Sequence, residues 1–97
     1  MKVRKTVHLP KKVIKALAQM CDKMGFVSLS RCAESAIKAF VESGAFEQSE
    51  KKLDAKVRLK FDYRELERFE KECKKMGYSN IDLCFATALE HWLEQFR

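Results

Sequence analysis

Polar and apolar side chains alternate at the start of the chain: Arg4, Thr6 and His8 fall on one parity and Val7 and Leu9 on the other, before Pro10. Successive side chains of a strand point to opposite faces, so Val3 to Pro10 reads as a strand with one basic, hydrogen-bonding face and one apolar face. Lys5 stands where an apolar residue belongs and reads as a lysine laying its stem along the end of the ribbon. The spacing then lengthens. Ile14, Leu17, Cys21 and Met24 recur at intervals of three and four, which predicts a helix from about 11 to 24, opened by Pro10 and closed by Gly25. Ser28 offers an N-cap to a second helix, on which Ala33, Ala36, Ile37, Phe40 and Val41 form a stripe and Gly44 marks the stop.

Residues 44 to 54 are polar and carry no clean stripe apart from Phe46 and Leu53, so they read as a linker. The pattern then returns at a constant offset of 52 positions: Cys73 for Cys21, Met76-Gly77 for Met24-Gly25, Cys84 for Cys32, Ala88 for Ala36. A gapless repeat that keeps the helix-ending glycine and both cysteines in register signals duplication of one structural unit. On that offset Lys56, Arg58 and Lys60 form the polar face of a second strand, and Val57, Leu59 and Phe61 its apolar face. Asp62-Tyr63-Arg64-Glu65 reads as a capping box opening a helix with Leu66, Phe69, Cys73 and Met76 inward. Asn80 caps a last helix bearing Leu83, Cys84, Ala88, Leu89, Trp92, Leu93 and Phe96. The expected fold is mainly α with short β-strands, in the order β-α-α-β-α-α. Unit 1 covers residues 1–44, a linker 45–54 and unit 2 residues 55–97, either as separate units or intertwined as one domain.

Length and charge sharpen this picture. A chain of 97 residues buries a modest fraction of its surface unless it assembles, so self-association is expected. No apolar run approaches the roughly 20 residues that span a bilayer, and the first residues lack the apolar core of a signal peptide. The expected compartment is the cytoplasm, or the host cytoplasm if the chain is virus-encoded, with no membrane partner. The formal net charge of +6 is confined to residues 1–44, where nine Lys or Arg face three Asp or Glu; residues 45–97 hold eleven of each. That balance points to a polyanion partner for the first half.

The four cysteines make no Cys-x-x-Cys pair, and His8 and His91 stand at no ligand-like spacing, so neither a metal site nor a cofactor is expected. Their phase favours buried, small apolar residues, with a disulfide between helices as the lesser alternative, more credible in a hyperthermophile. Trp92 lies on an apolar stripe and His91 beside it, which suits core packing or a protein interface. No phosphate loop, paired carboxylates or Cys–His pair appears, and no enzyme is expected.

Three features of each copy, in order, carry a resemblance. They are Arg4-x-Thr6-x-His8-Leu9-Pro10, Met24-Gly25-Phe26 and Ser28-x-Ser30 before Ala36-Ile37, then Lys56-x-Arg58-x-Lys60-Phe61, Met76-Gly77-Tyr78 and Asn80 before Ala88-Leu89. Together they resemble the ribbon-helix-helix family of DNA-binding proteins, the class of the Arc and Met repressors, present here as two tandem copies. Tandem units of this kind belong to plasmid, phage and archaeal-virus regulators. The resemblance implies an antiparallel two-stranded ribbon in the major groove of double-stranded DNA, with Arg4, Thr6, His8, Lys56, Arg58 and Lys60 facing the bases. It also implies phosphate contacts at the start of the second helix of each unit, at Ser28, Leu29, Ser30 and Arg31 and at Asn80. Asp82, beside Asn80, would repel a phosphate there. The function so implied is transcription regulation, as by a repressor.

Two assemblies fit the pattern. The strands of one chain pair as an intrachain pseudo-dimer, which tethering favours, or first copies pair between chains as a homodimer while second copies pair with their own kind or dock other dimers along DNA. The alternative to DNA binding is a protein-interaction module, antitoxin-like or an assembly protein, in which the second unit mediates oligomerisation.

Overall fold

The computed structural model describes residues 1–43 and 52–95. Gly44, most of the expected linker with Phe46, and Phe96 lie outside the described residues. The elements are β1 (Lys2–Leu9), α1 (Lys11–Lys23), α2 (Leu29–Ser43), β2 (Ala55–Asp62), α3 (Tyr63–Lys75) and α4 (Ile81–Glu94). Over the described residues the chain is therefore mainly helical with one two-stranded sheet, and β1 pairs antiparallel with β2 of the same chain.

The register follows the repeat. Thr6 stands opposite Arg58, its own counterpart 52 positions later, with Arg4 opposite Lys60 and His8 opposite Lys56 on either side. A local twofold thus passes through the Thr6–Arg58 pair. The inward face of the sheet is sealed, with Val7, Leu9, Leu59 and Phe61 all at most 1% exposed. Lys5 sits half-buried on that side opposite Leu59, as its place in the alternation demands.

Each first helix ends in the same way. Gly25 and Gly77 adopt φ of 78° and 88°, where a side chain would clash with its own backbone. The Phe26 and Tyr78 N–H groups then reach back five residues to the Cys21 and Cys73 carbonyls, both at 3.0 Å. The helix starts depend on the other copy. Pro10 has no side-chain cap to give, so the Lys11 N–H at the start of α1 donates to Asp54 Oδ1, just ahead of β2, at 3.0 Å. At the start of α3 the Tyr63 N–H donates to the Met1 carbonyl at 2.8 Å. Asp62 caps α3 by accepting from the Arg64 N–H at 3.0 Å, and that bond is the main cause holding its carboxyl below the ordinary value of 3.8. The reciprocal half of a capping box is absent. Glu34 Oε2, on α2, takes the Asp62 N–H at 2.8 Å, while Glu65 turns to Arg68 at 3.8 Å.

One core serves both copies. Phe69 meets Phe40 and Phe85 at ring-centroid distances of 5.3 and 4.5 Å, and Phe61 meets Phe85 at 5.5 Å. On α1 Leu17 and Cys21 face inward as expected, Val13 is buried in place of Ile14, which is half-buried, and Met24 lies exposed at the helix end. Helix α4 is buried on every side from Cys84 to Leu89, as befits a helix enclosed by neighbours rather than laid on a surface. There Thr87 satisfies its hydroxyl on the Leu83 carbonyl at 2.9 Å.

The cysteines are buried as their phase predicts, yet they are not free thiols. Cys21 bonds Cys32 and Cys73 bonds Cys84, each joining the last turn of one helix to the first turns of the next. The glycine turn brings the Cα atoms to 5.7 and 6.1 Å, within the span a disulfide bridges. A core-facing phase suits a thiol and a half-cystine equally, so burial alone did not separate them. Closing an eleven-residue separation contributes about 3 kcal/mol per bond in the chain-entropy account.

Candidate nucleic-acid interface

Alternation places Arg4, Thr6 and His8 of β1 and Lys56, Arg58 and Lys60 of β2 on the outer face of the sheet, and all six are exposed. The structure brings them together as three cross-strand pairs. Arg4 faces Lys60 directly, although like charges opposite one another destabilise a ladder. Among the described residues no carboxylate forms an ion pair with Arg4, Lys56, Arg58 or Lys60. Such a face costs stability in isolation and suits an anionic ligand.

The start of α2 borders this face. Ser28 Oγ accepts from the Arg31 N–H at 3.2 Å, and Ser30 Oγ accepts from the Lys60 backbone N–H at 2.8 Å. Each hydroxyl keeps its own hydrogen to donate outward. Nothing among the described residues accepts from the N–H groups of Leu29 and Ser30. A cleft of about 290 Å³ opens here, lined by Lys2, Ser28, Ser30, Arg31, Glu34 and Lys60. Three cations outnumber its one carboxylate, and Glu34 is partly occupied by Lys2 at 3.7 Å and by the Asp62 N–H.

The corresponding end of the second copy differs. Asn80 caps α4 by accepting from the Asp82 N–H at 2.9 Å. The Asp82 carboxylate lies in the first turn, in the favourable field of the helix N-terminus, and its Oδ2 meets Nδ1 of His8 at 3.1 Å. By repeat, His8 corresponds to Lys60 and Asp82 to Ser30. The same two positions therefore touch in both copies, once through a backbone N–H and a hydroxyl, once through two side chains. The pattern of residues gave no signal for the His8–Asp82 contact, because it depends on how deeply the two copies interlock.

Trp92 is buried and packs edge-on to Phe26 at 6.3 Å, the core role its stripe indicates, and His91 approaches Gln95 at 3.0 Å. Among the described residues no cluster of His, Cys, Asp or Glu could hold a metal ion, and no helix is long and apolar enough to cross a membrane. No protein-family model, curated protein or solved structure matches the chain.

Proposed function

We propose that this protein is a tandem ribbon-helix-helix regulator that binds double-stranded DNA sequence-selectively, laying its single-chain ribbon in the major groove and controlling transcription by occupying a promoter. The observation that carries the reading is the outer face of the sheet, where Arg4 stands opposite Lys60 beside Lys56 and Arg58, none of the four in an ion pair with a carboxylate among the described residues, over an apolar inner face. The major groove admits a two-stranded ribbon and shows each base pair as a distinct set of donors and acceptors. Arg4 and Arg58 offer forks to guanine O6 and N7, and Thr6 a hydroxyl and a methyl. Because the six positions are not symmetric about the local twofold, the DNA site is lopsided rather than palindromic. Leu29, Ser30 and Arg31 hold a backbone phosphate through free N–H groups, hydroxyl and guanidinium. Asn80 does not, with the Asp82 carboxylate beside it.

The test is binding to duplexes selected from a random pool, followed across salt. Cationic contacts to several phosphates make affinity fall steeply between about 50 and 200 mM salt. A flat response, or no selected sequence, favours the second reading, a protein-interaction module. The observation on that side is the turn between α1 and α2, where Val27 is 94% and Met24 42% exposed.

A further inference from the structure

We infer that Asp82 is a positioning residue that fixes the tautomer of His8 and thereby the base His8 selects; the inference rests on the DNA reading above. An ionised carboxylate only accepts hydrogen bonds. With Asp82 Oδ2 at 3.1 Å from Nδ1, the bond requires the hydrogen on Nδ1. In the neutral ring the second nitrogen, Nε2, then carries a lone pair and no hydrogen. The His8 side chain is 50% exposed, on the same outer face as Thr6 and Arg4, while Asp82 is 24% exposed behind it. The carboxylate thus grips the ring from the protein side.

An acceptor at Nε2 has a definite preference in the major groove. It takes a hydrogen from the exocyclic amine of cytosine or adenine, and meets only acceptors, O6 and N7, on guanine. Arginine and lysine read the opposite pattern. Five of the six outer residues are Arg, Lys or Thr, all able to donate, so His8 supplies the one side chain on the ribbon biased toward accepting. The second copy has no such device at the equivalent place. Lys60 stands there, tied to Ser30 only through its backbone N–H, and its ammonium remains a donor.

The experiment pairs NMR with base substitution. Long-range proton–nitrogen correlation on the full chain at about pH 8.5, well above the ordinary imidazole pKa of about 6.5, reports which ring nitrogen carries the hydrogen. The wild type should show the hydrogen on Nδ1, and Asp82→Ser, which installs the residue found at the equivalent position of the first copy, should show the Nε2 form gaining. The base pair read by His8 is the one whose preference vanishes in His8→Ala. At that pair the wild type should prefer cytosine over guanine by about fivefold, the worth of one hydrogen bond, and Asp82→Ser should lose that preference while discrimination at the other base pairs is unchanged. A hydrogen on Nε2 in the wild type, or an unchanged cytosine preference in Asp82→Ser, overturns the inference. Nδ1–H in the free protein with no selective duplex binding overturns the DNA reading, and the base preference with it, while leaving the positioning role of Asp82 standing.

Discussion

The two ends of the ribbon share a backbone plan and differ in charge. Around the start of α2 stand Lys2, Arg31 and Lys60 with one carboxylate, Glu34; the corresponding positions around the start of α4 are Asp54, Leu83, His8 and Ala86, with Asp82 in place of Ser30. One end gathers cations and the other carries a carboxylate of its own. The cores differ in the reverse sense. Leu9, Leu17 and Ala33 of the first copy correspond to Phe61, Phe69 and Phe85 of the second, so the bulk of the aromatic packing belongs to the half with the weaker claim on DNA. Duplication inside one chain permits this, because a substitution in a symmetric dimer appears on both sides while here it appears once.

The largest test of that division is in the core. Phe69→Ala should cost about 3 to 5 kcal/mol, and the equivalent Leu17→Ala about 1 kcal/mol less, measured by urea unfolding. Equal losses would remove the claim that the second copy carries more of the core. The disulfides probe what the halves share. Replacing Cys21 and Cys32 by Ala, or Cys73 and Cys84 by Ala, should each cost about 3 kcal/mol, since both bonds close loops of the same length. A clear inequality would show that the framework, and not only its side chains, has diverged.

On the outer face of the sheet, Arg58→Ala on the local twofold and Arg4→Ala should each cost about 1 to 3 kcal/mol of duplex binding and relax selectivity at one position. Unchanged binding in both would end the ribbon reading. Ser30→Ala should weaken all sequences alike, whereas Asn80→Ala should leave affinity for DNA unaltered, and equal losses from the two would erase the contrast between the ends. A modest effect on stability falls at Tyr78, the counterpart of Phe26. Its hydroxyl is buried with no hydrogen-bond partner among the described residues, so Tyr78→Phe should stabilise the fold by about 1 kcal/mol, read as a higher urea midpoint.

Much of this was legible in the residues. Alternation fixed both strands and all six outer side chains, and Gly25 and Gly77 fixed the ends of α1 and α3, because these are short-range consequences of side-chain direction and backbone sterics. What escaped were partners distant in sequence. Glu34 displaces Glu65 from the Asp62 N–H, Asp54 caps a helix that begins 43 residues earlier, and Asp82 holds His8 across 74 positions. Each of these depends on the interlocked register, which local pattern does not encode. The disulfides lay between these extremes: an equal cysteine spacing across a glycine turn, twice over, is compatible with bonding, but buried thiols would occupy the same positions.

The pairing of β1 with β2 also bears on how the molecule is born. A strand whose ladder partner lies on another chain waits for a collision, and its folding slows as the protein is diluted. Here the partner arrives on the same chain after some 45 further residues, from Leu9 to Ala55, at the modest entropic cost of closing one loop. Assembly becomes first order in protein, so refolding kinetics are independent of concentration, and a single copy of the chain is enough to complete the ribbon.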